Sequence, residues 1–275
     1  MKWKKSVLVI IVMLMGMVLG TTGRAAERLR LSTTTSTDNT GLLAYILPPF
    51  EQKHNVKVDV IAVGTGKALK LAENGDVDVT MVHAPDAEMK FVDAGFGVNR
   101  RLLMANYFMI AGPSEDPAGV KSAATVEEAF RNIAESKAVF ISRGDNSGTH
   151  IKERKIWGNA GIQPSGSWYV DAGAGMGAVL IMADEKKGYA LADRGSYLKY
   201  LDKIQIRGVF EKESDGLYNP YSIIAVSPAR HPDVKYELAM ALITWLTSPG
   251  GQAMIGNFTD KTGKVLFTPL AVPMK

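Results

Sequence analysis

Val56-Lys57-Val58-Asp59-Val60-Ile61-Ala62-Val63-Gly64-Thr65-Gly66-Lys67-Ala68-Leu69-Lys70-Leu71-Ala72-Glu73 is the stretch on which the fold turns. Its opening run, Val56–Val63, is apolar and β-branched, the composition of a strand. Gly64-Thr65-Gly66 breaks that run and opens a short helix through Glu73. Val77–Val82 is a second apolar run of strand type. Strand, helix and strand in this order make a βαβ unit, so the chain is of the α/β class with a mainly parallel sheet.

The same alternation extends in both directions. Leu29–Thr33 reads as a short strand, followed by a polar loop and a helix over Thr40–His54. A helix over Asp86–Ala94 and an apolar run over Leu102–Ala111 follow Val82, and Gly112-Pro113 ends the run. A second cycle starts at Thr125-Val126-Glu127-Glu128, a capping-box pattern in which Thr and Glu satisfy free amides reciprocally. That helix ends near Ser136, and a strand over Ala138–Ser142 and a helix over Ser147–Asn159 come next. Trp168–Val170, Tyr189–Ala192 and Tyr221–Val226 read as strands; Gly175–Lys187 and Val234–Thr247 read as helices. Two α/β cycles suggest two lobes, although pattern alone also allows one larger sheet.

The charge balance excludes one class of partner. The 275 residues carry 32 Lys+Arg against 28 Asp+Glu, a formal charge of +4. Residues 1–25 hold Lys2, Lys4, Lys5 and Arg24 and no acid, so the remainder balances at 28 against 28. A basic nucleic-acid surface therefore has no support. Those first residues form a charged start, an apolar run Val7–Leu19 and a small-residue zone Gly20–Ala26, the layout of a secretory signal peptide cleaved after Ala25. The apolar run is shorter than the about 20 residues a membrane span needs. The chain has no cysteine, hence no disulfide and no lipoprotein anchor. The expectation is a soluble periplasmic protein.

Three polar loops sit between strands and helices. Ser32-Thr33-Thr34-Thr35-Ser36-Thr37 is a run of six hydroxyl residues at a strand end. One of them, or Asp38 or Asn39, would suffice to cap a helix; a run of six favours an anion site, since hydroxyls and helix-start amides donate without adding charge. Gly64-Thr65-Gly66 reads on its own as a tight turn, and gains weight because parallel sheets bind ligands outside the carboxyl ends of their strands. Ser142-Arg143-Gly144-Asp145-Asn146-Ser147-Gly148-Thr149 supplies one fork-shaped cation, hydroxyls and amides at a helix start. The bland alternative is a capped surface turn with an Arg143–Asp145 ion pair.

Enzyme readings find little. Asp171-Ala172-Gly173-Ala174-Gly175-Met176-Gly177 lacks dinucleotide spacing and reads as a close helix-packing turn in a cleft wall. His54, His83, His150 and His231 are scattered. His150 follows Ser147 by three residues, but no Gly-x-Ser-x-Gly elbow surrounds that serine.

Arg143-Gly144-Asp145-Asn146-Ser147-Gly148-Thr149 resembles the Arg-x-Asp-x-Ser-Gly-Thr loop of periplasmic phosphate-binding proteins. Thr33-Thr34-Thr35-Ser36 is similar to the TTTS motif of the tungstate-binding proteins of ABC transporters, the TupA family. Val63–Lys70 and Ala192-Asp193-Arg194-Gly195 match that family too, in order. The resemblance implies a type II periplasmic binding protein: two α/β lobes, each a mainly parallel sheet flanked by helices, joined by two crossing strands. Residues 26–107 and 227–275 would form lobe I and 108–226 lobe II. It implies capture of tungstate, or alternatively molybdate, then phosphate or sulfate, for a membrane permease and its ATPase. It further implies a monomer with no cofactor and no enzymatic activity.

By the same resemblance Thr34, Thr35, Ser36, Thr65 and Gly66 donate from lobe I, and Arg143, Ser147, Gly148 and Thr149 close over the anion from lobe II. Arg194 is a weaker candidate, equally readable as a partner of an acid. Tungstate is fully deprotonated near neutral pH and an ionised carboxylate would repel it. Asp145 is therefore expected to face Arg143 or cap the helix near Ser147, leaving the anion among donors.

Overall fold

The computed structural model describes residues 26–214, 216–260 and 263–271. The expected signal peptide lies outside them. In chain order the first elements are β1 (Glu27–Thr34), α1 (Thr35–Asn39), α2 (Leu42–His54), β2 (Val56–Val63), α3 (Thr65–Asn74), β3 (Val79–Val82), α4 (Pro85–Asp93) and β4 (Gly97–Gly112). Then come α5 (Val126–Glu135), β5 (Phe140–Ser142), α6 (Gly148–Asn159), β6 (Tyr169–Asp171), α7 (Met176–Glu185), β7 (Ala190–Asp193) and α8 (Arg194–Tyr200). β8 (Arg207–Phe210), β9 (Tyr218–Val226), α9 (Tyr236–Thr247), α10 (Pro249–Gly256) and β10 (Thr268–Pro269) complete the chain.

The expected parallel sheets are present as parallel cores bordered by antiparallel strands. β1 pairs in parallel with β2 on one side and β3 on the other. β5 pairs in parallel with β6, and Phe140 bridges Tyr189 in the same sense. Two long strands join these regions. β4 runs antiparallel to β9 from Gly97 to Tyr107, then continues against β7 and β8. β9 in turn runs antiparallel to β3. Hydrophobic pattern marks such strands as buried but says nothing of their direction, which the path of the chain decides.

Both faces of each region are buried, which explains the unbroken apolar runs. Along β9, Tyr221, Ile223 and Ala225 enter one core with Leu29, Leu31, Val79 and Met81, while Ile224 and Val226 enter another with Ala68, Leu69 and Phe91. Past the crossing, Phe108 and Ile110 join Phe130, Phe140 and Trp157, whereas Met109 and Ala111 join Val179 and Leu180. Alternation with period two thus feeds four cores from two strands. On α2, Leu42, Leu43, Ile46, Leu47 and Phe50 form the buried stripe expected of a surface helix. Among the described residues, no helix is long and apolar enough to cross a membrane.

Several local expectations are corrected. The segment after the first strand is not a loop: α1 begins at once, because Thr34 is extended and its hydroxyl accepts from the Thr37 amide. Neither Asp38 nor Asn39 caps a helix; α2 instead follows Gly41 in a left-handed turn at φ +81°. α8, β8 and α10 were not legible, being short and without clear periodicity. The Thr125 cap is present, with Thr125 Oγ1 accepting from Glu128 N at 3.1 Å. Glu128 reaches back one residue further than the motif implies, accepting from Ala124 N at 2.7 Å.

Candidate functional site

The loops of interest leave the carboxyl ends of β1, β2, β3, β5 and β7. Strand ends aligned in parallel point their following loops the same way, so residues remote in sequence gather in one cleft.

Much of the hydroxyl run turns out to hold the scaffold. Ser32 Oγ donates to Ala68 O at 3.0 Å, and Thr33 Oγ1 donates to Met81 O at 2.8 Å, tying β1 to α3 and β3. Thr34 Oγ1 lies 2.7 Å from Thr37 Oγ1 and 3.0 Å from Ser36 Oγ, besides capping α1. Ser36 is buried, whereas the Thr35 side chain is exposed. Thr65 begins α3 and is buried, and its Oγ1 has no hydrogen-bond partner among the described residues. Gly66 is exposed, and a Cβ there would meet nothing within 4 Å, so packing does not require glycine.

Opposite these lies the loop from β5 to α6. Ser147 caps α6, its Oγ accepting from His150 N at 3.3 Å. Gly148 is the first residue of α6; a Cβ there would stand 2.8 Å from His83 Cε1 and 3.1 Å from Thr65 Oγ1. Only the missing side chain lets the start of α6 approach α3 so closely. Thr149 follows, with its Oγ1 buried and likewise without a partner. The side chain of Arg143 is only 5% exposed. It is therefore an interior cation, and the surface-turn alternative fails on burial even though its ion pair is present. Gly144 has φ +60°, and a Cβ would overlap the Asp171 carboxylate.

Asp145 faces Arg143, the first of its two expected arrangements; it does not cap α6, a role Ser147 takes, but bonds the Ser147 amide instead. Its Oδ2 accepts from Arg143 Nε at 3.2 Å and Nη2 at 2.5 Å, and its Oδ1 accepts from Ser147 N at 3.1 Å. Partial burial pushes this carboxyl up, but the Ser147 bonds and the Arg143 charge together hold it below the ordinary range. Arg143 Nη1 makes no hydrogen bond among the described residues.

Three further candidates resolve differently. Asp193 is fully buried and caps α8, accepting from Ser196 N at 2.9 Å through Oδ1, while its Oδ2 has no partner among the described residues. Arg194 is half-buried beside it, with no ion pair among the described residues. The glycines at 173–177 are not one packing turn: a Cβ at Gly177 would overlap the Tyr200 hydroxyl, yet Gly173 and Gly175 have open space. The Ser147–His150 pair is no nucleophile and base, since the His150 ring accepts from Asn146 N through Nδ1 at 3.0 Å.

One residue at this centre escaped the sequence reading. His83 follows β3 and is buried, with Nε2 lying 3.2 Å from Thr34 Oγ1 and 3.3 Å from Ser36 Oγ. Its Nδ1 stands 2.9 Å from Asn219 Oδ1 on β9. Its position at a strand's carboxyl end, the same end as the other loops, was the signal that would have found it. Burial pushes the imidazole below its ordinary range, with Asn219 and Asp193 opposing and Arg143 adding to the effect.

Behind the arginine loop sits Glu153, which accepts from Ser142 Oγ at 3.0 Å and from Tyr169 OH at 2.8 Å. Burial pushes its carboxyl up to about 7 despite these bonds. The raised folded-state pKa favours the fold fully below the unfolded value, and that contribution disappears as pH rises through about 7. The size is about 3 kcal/mol. Denaturant unfolding of wild type and Glu153→Gln should therefore diverge with pH, the variant gaining relative stability of about that size between pH 4.5 and pH 8. A difference constant across this window would show that Glu153 is ionised throughout.

A PBP superfamily domain matches residues 20–249. The tungstate-binding protein TupA of Peptoclostridium acidaminophilum is 41% identical over 97% of this chain and 99% of its own length. The chain belongs to the TupA family of the PBP superfamily. Among solved structures, the tungstate ABC transporter protein from Geobacter sulfurreducens matches with TM-score 0.80 at 54% identity, covering 86% of this chain and 100% of the other. TupA from Desulfovibrio alaskensis G20 matches with TM-score 0.78 at 47% identity, covering 90% and 100%. Membership in TupA makes the fold a two-lobed solute-binding one and the protein a binder, not an enzyme.

Proposed function

We propose that this TupA-family chain captures tungstate in the periplasm and delivers it to a membrane permease and its ATPase. Residues 26–107 and 227–275 act as one lobe together with β9, which packs in their cores rather than with 108–217 as the sequence reading had it. The segment between β4 and β9 acts as the other; a signal peptide is removed at Ala25, and the protein works as a monomer without a cofactor. The observation that carries this reading is that two buried hydroxyls, on Thr65 and Thr149, lack partners where the start of α3 approaches the start of α6, the helix that follows the loop of the interior Arg143. Buried hydroxyls without partners are costly, and an oxyanion supplies acceptors to several at once. Arg143 supplies the charge; Ser36, Ser147 and the amides of Thr65, Gly66, Gly148 and Thr149 supply neutral donors. Thr34 serves mainly through its hydrogen bonds to Ser36 and Thr37, and Thr35 through its backbone. Arg194 stays at the rim. The anion engages one lobe first, and donors of the other shift the open–closed balance.

A dry pocket rich in donors favours a fully deprotonated dianion, because a protonated one leaves a donor facing a proton. Cavity size separates tungstate from sulfate, and the likeness to tungstate-binding relatives supports taking tungstate first. Calorimetry with tungstate, molybdate, sulfate and phosphate in parallel tests the reading. Saturable one-to-one binding of tungstate, tighter than sulfate and phosphate, is the expected result; binding of phosphate alone would overturn it. A phosphate reading draws on one observation, the unpartnered Asp193 Oδ2, which would accept the proton of hydrogen phosphate.

Thr65→Val and Thr149→Val remove the two hydroxyls with little change of shape. Each is expected to weaken tungstate binding about tenfold or more, the loss of a hydrogen bond to a charged acceptor. The melting temperature of the ligand-free protein should not fall, since an unsatisfied buried group has been removed. A drop in melting temperature with affinity unchanged would assign these hydroxyls to the scaffold instead.

A further inference from the structure

We propose that His83 is the positioning residue of the anion site, and that its imidazole takes up a proton from solvent as the oxyanion binds. This deepens the tungstate reading and rests on it. The ring stands where three parts of the molecule meet. On one side its Nε2 faces the hydroxyls of Thr34 and Ser36, from the end of β1 and the start of α1. On a second, the position of a Cβ on Gly148 lies 2.8 Å from its Cε1, at the start of α6. On the third, Nδ1 bonds Asn219 on the crossing strand β9, and the ring stacks on Tyr221 at 4.7 Å.

The tautomer follows from the partners. Asn219 Nδ2 donates to Asn106 Oδ1 at 2.7 Å and to the Tyr221 hydroxyl at 3.1 Å, which commits Asn219 Oδ1 to accept. His83 must then donate through Nδ1, leaving a bare lone pair on Nε2 when the ring is neutral. Asn106 and Asn219 are register partners on the two crossing strands, so the ring's orientation is fixed by the strands that join the lobes.

Counting hydrogens shows what a proton would change. Thr34, Ser36 and Thr37 own one hydroxyl hydrogen each, and Thr34 Oγ1 contacts both other hydroxyls as well as Nε2. With Nε2 bare, one of these hydrogens is drawn to the ring and away from any anion. With Nε2 protonated the bond reverses: N–H donates to Ser36 or Thr34, and that hydroxyl is free to donate outward. Proton uptake thus adds a donor and a positive charge beside a dianion. The charged and titratable groups around the ring are Asp193 at the end of β7 and Arg143 after β5, with Tyr221 on β9. His83 and Gly148 also border a cavity of about 420 Å³ lined by Asp86 and Lys90 of α4 and Lys152 and Lys155 of α6. Burial holds the ring neutral without ligand; a dianion against the same hydroxyls reverses that preference.

The test is calorimetry of tungstate binding near pH 7.5 in HEPES, MOPS and Tris, whose ionisation enthalpies differ. Uptake approaching about one proton per tungstate is expected, with affinity falling by up to about tenfold per pH unit above neutrality. His83→Gln should bind more weakly with no buffer dependence, while His150→Gln should keep the wild-type proton count. Wild-type protein labelled with ¹⁵N-histidine gives a readout independent of any variant: the His83 Nε2 resonance should move from the bare to the protonated range on adding tungstate. Tungstate binding without proton uptake, or with uptake undiminished in His83→Gln, would overturn the role of His83 alone. Absence of binding to all four oxyanions would overturn the functional reading and this inference with it.

Discussion

Replacing Arg143 with alanine is expected to weaken tungstate binding by more than about 100-fold, measured by calorimetry against wild type. Hydrogen bonds to charged groups contribute about 1.5–3 kcal/mol each, and a guanidinium offers two in a fixed fork. The second part of the loss comes from Asp145. Its Oδ2 is held by Arg143 Nε and Nη2, so removing the arginine leaves an anionic carboxylate beside an incoming dianion. Arg143→Lys keeps a charge but not the planar fork, and an intermediate loss of about tenfold is expected. Asp145→Asn separates the anion readings: its carboxylate faces Arg143 and the Ser147 amide, so tungstate affinity should change little. If Asp145→Asn abolished binding, a protonated anion such as phosphate would be indicated. Retention of near wild-type affinity by Arg143→Ala would remove the arginine from the site.

Gly148→Val is the second large effect. Its Cβ would fall 2.8 Å from His83 Cε1 and 3.1 Å from Thr65 Oγ1. Neither neighbour yields easily: His83 is bonded through both nitrogens, and Thr65 opens α3. The start of α6 must retreat, taking the Gly148 and Thr149 amides with it. Overpacking of this kind costs about 1–3 kcal/mol, and losing contacts to the anion adds to it, so a drop of about 100-fold in affinity is expected. The clash exists only where the two lobes meet, so ligand-free stability should be nearly unchanged. Small-angle scattering should show wild type compacting with tungstate and the variant remaining open. Compaction of the variant equal to wild type would show that the approach of α6 to α3 is not what closes the cleft.

The sequence carried the order of strands and helices from Val56 to Val82 and again from Thr125 to Ala192, because the pattern of apolar residues reports local geometry. Ser147 as a helix start and Thr125 as a cap were legible for the same reason: capping is chemistry between residues three apart. The hydroxyl run was legible as unusual but not as divided in its tasks. Ser32 and Thr33 bond to Ala68 and Met81, partners far away in sequence, and no local rule assigns them. Thr35 looked equivalent to its neighbours until the turn of α1 carried its side chain outward.

By itself, then, the sequence determined the α/β class, the loops that carry donors and the formal neutrality of residues 26–275. Charge, periodicity and caps are properties of neighbours along the chain. Tertiary structure alone decided that β4 and β9 run antiparallel to each other, that Arg143 is interior, and that His83 sits among Thr34, Ser36, Gly148 and Asn219. Periodicity says which faces are buried. Which buried faces meet is fixed by the packing of elements remote in sequence, and the candidate site is made where they meet.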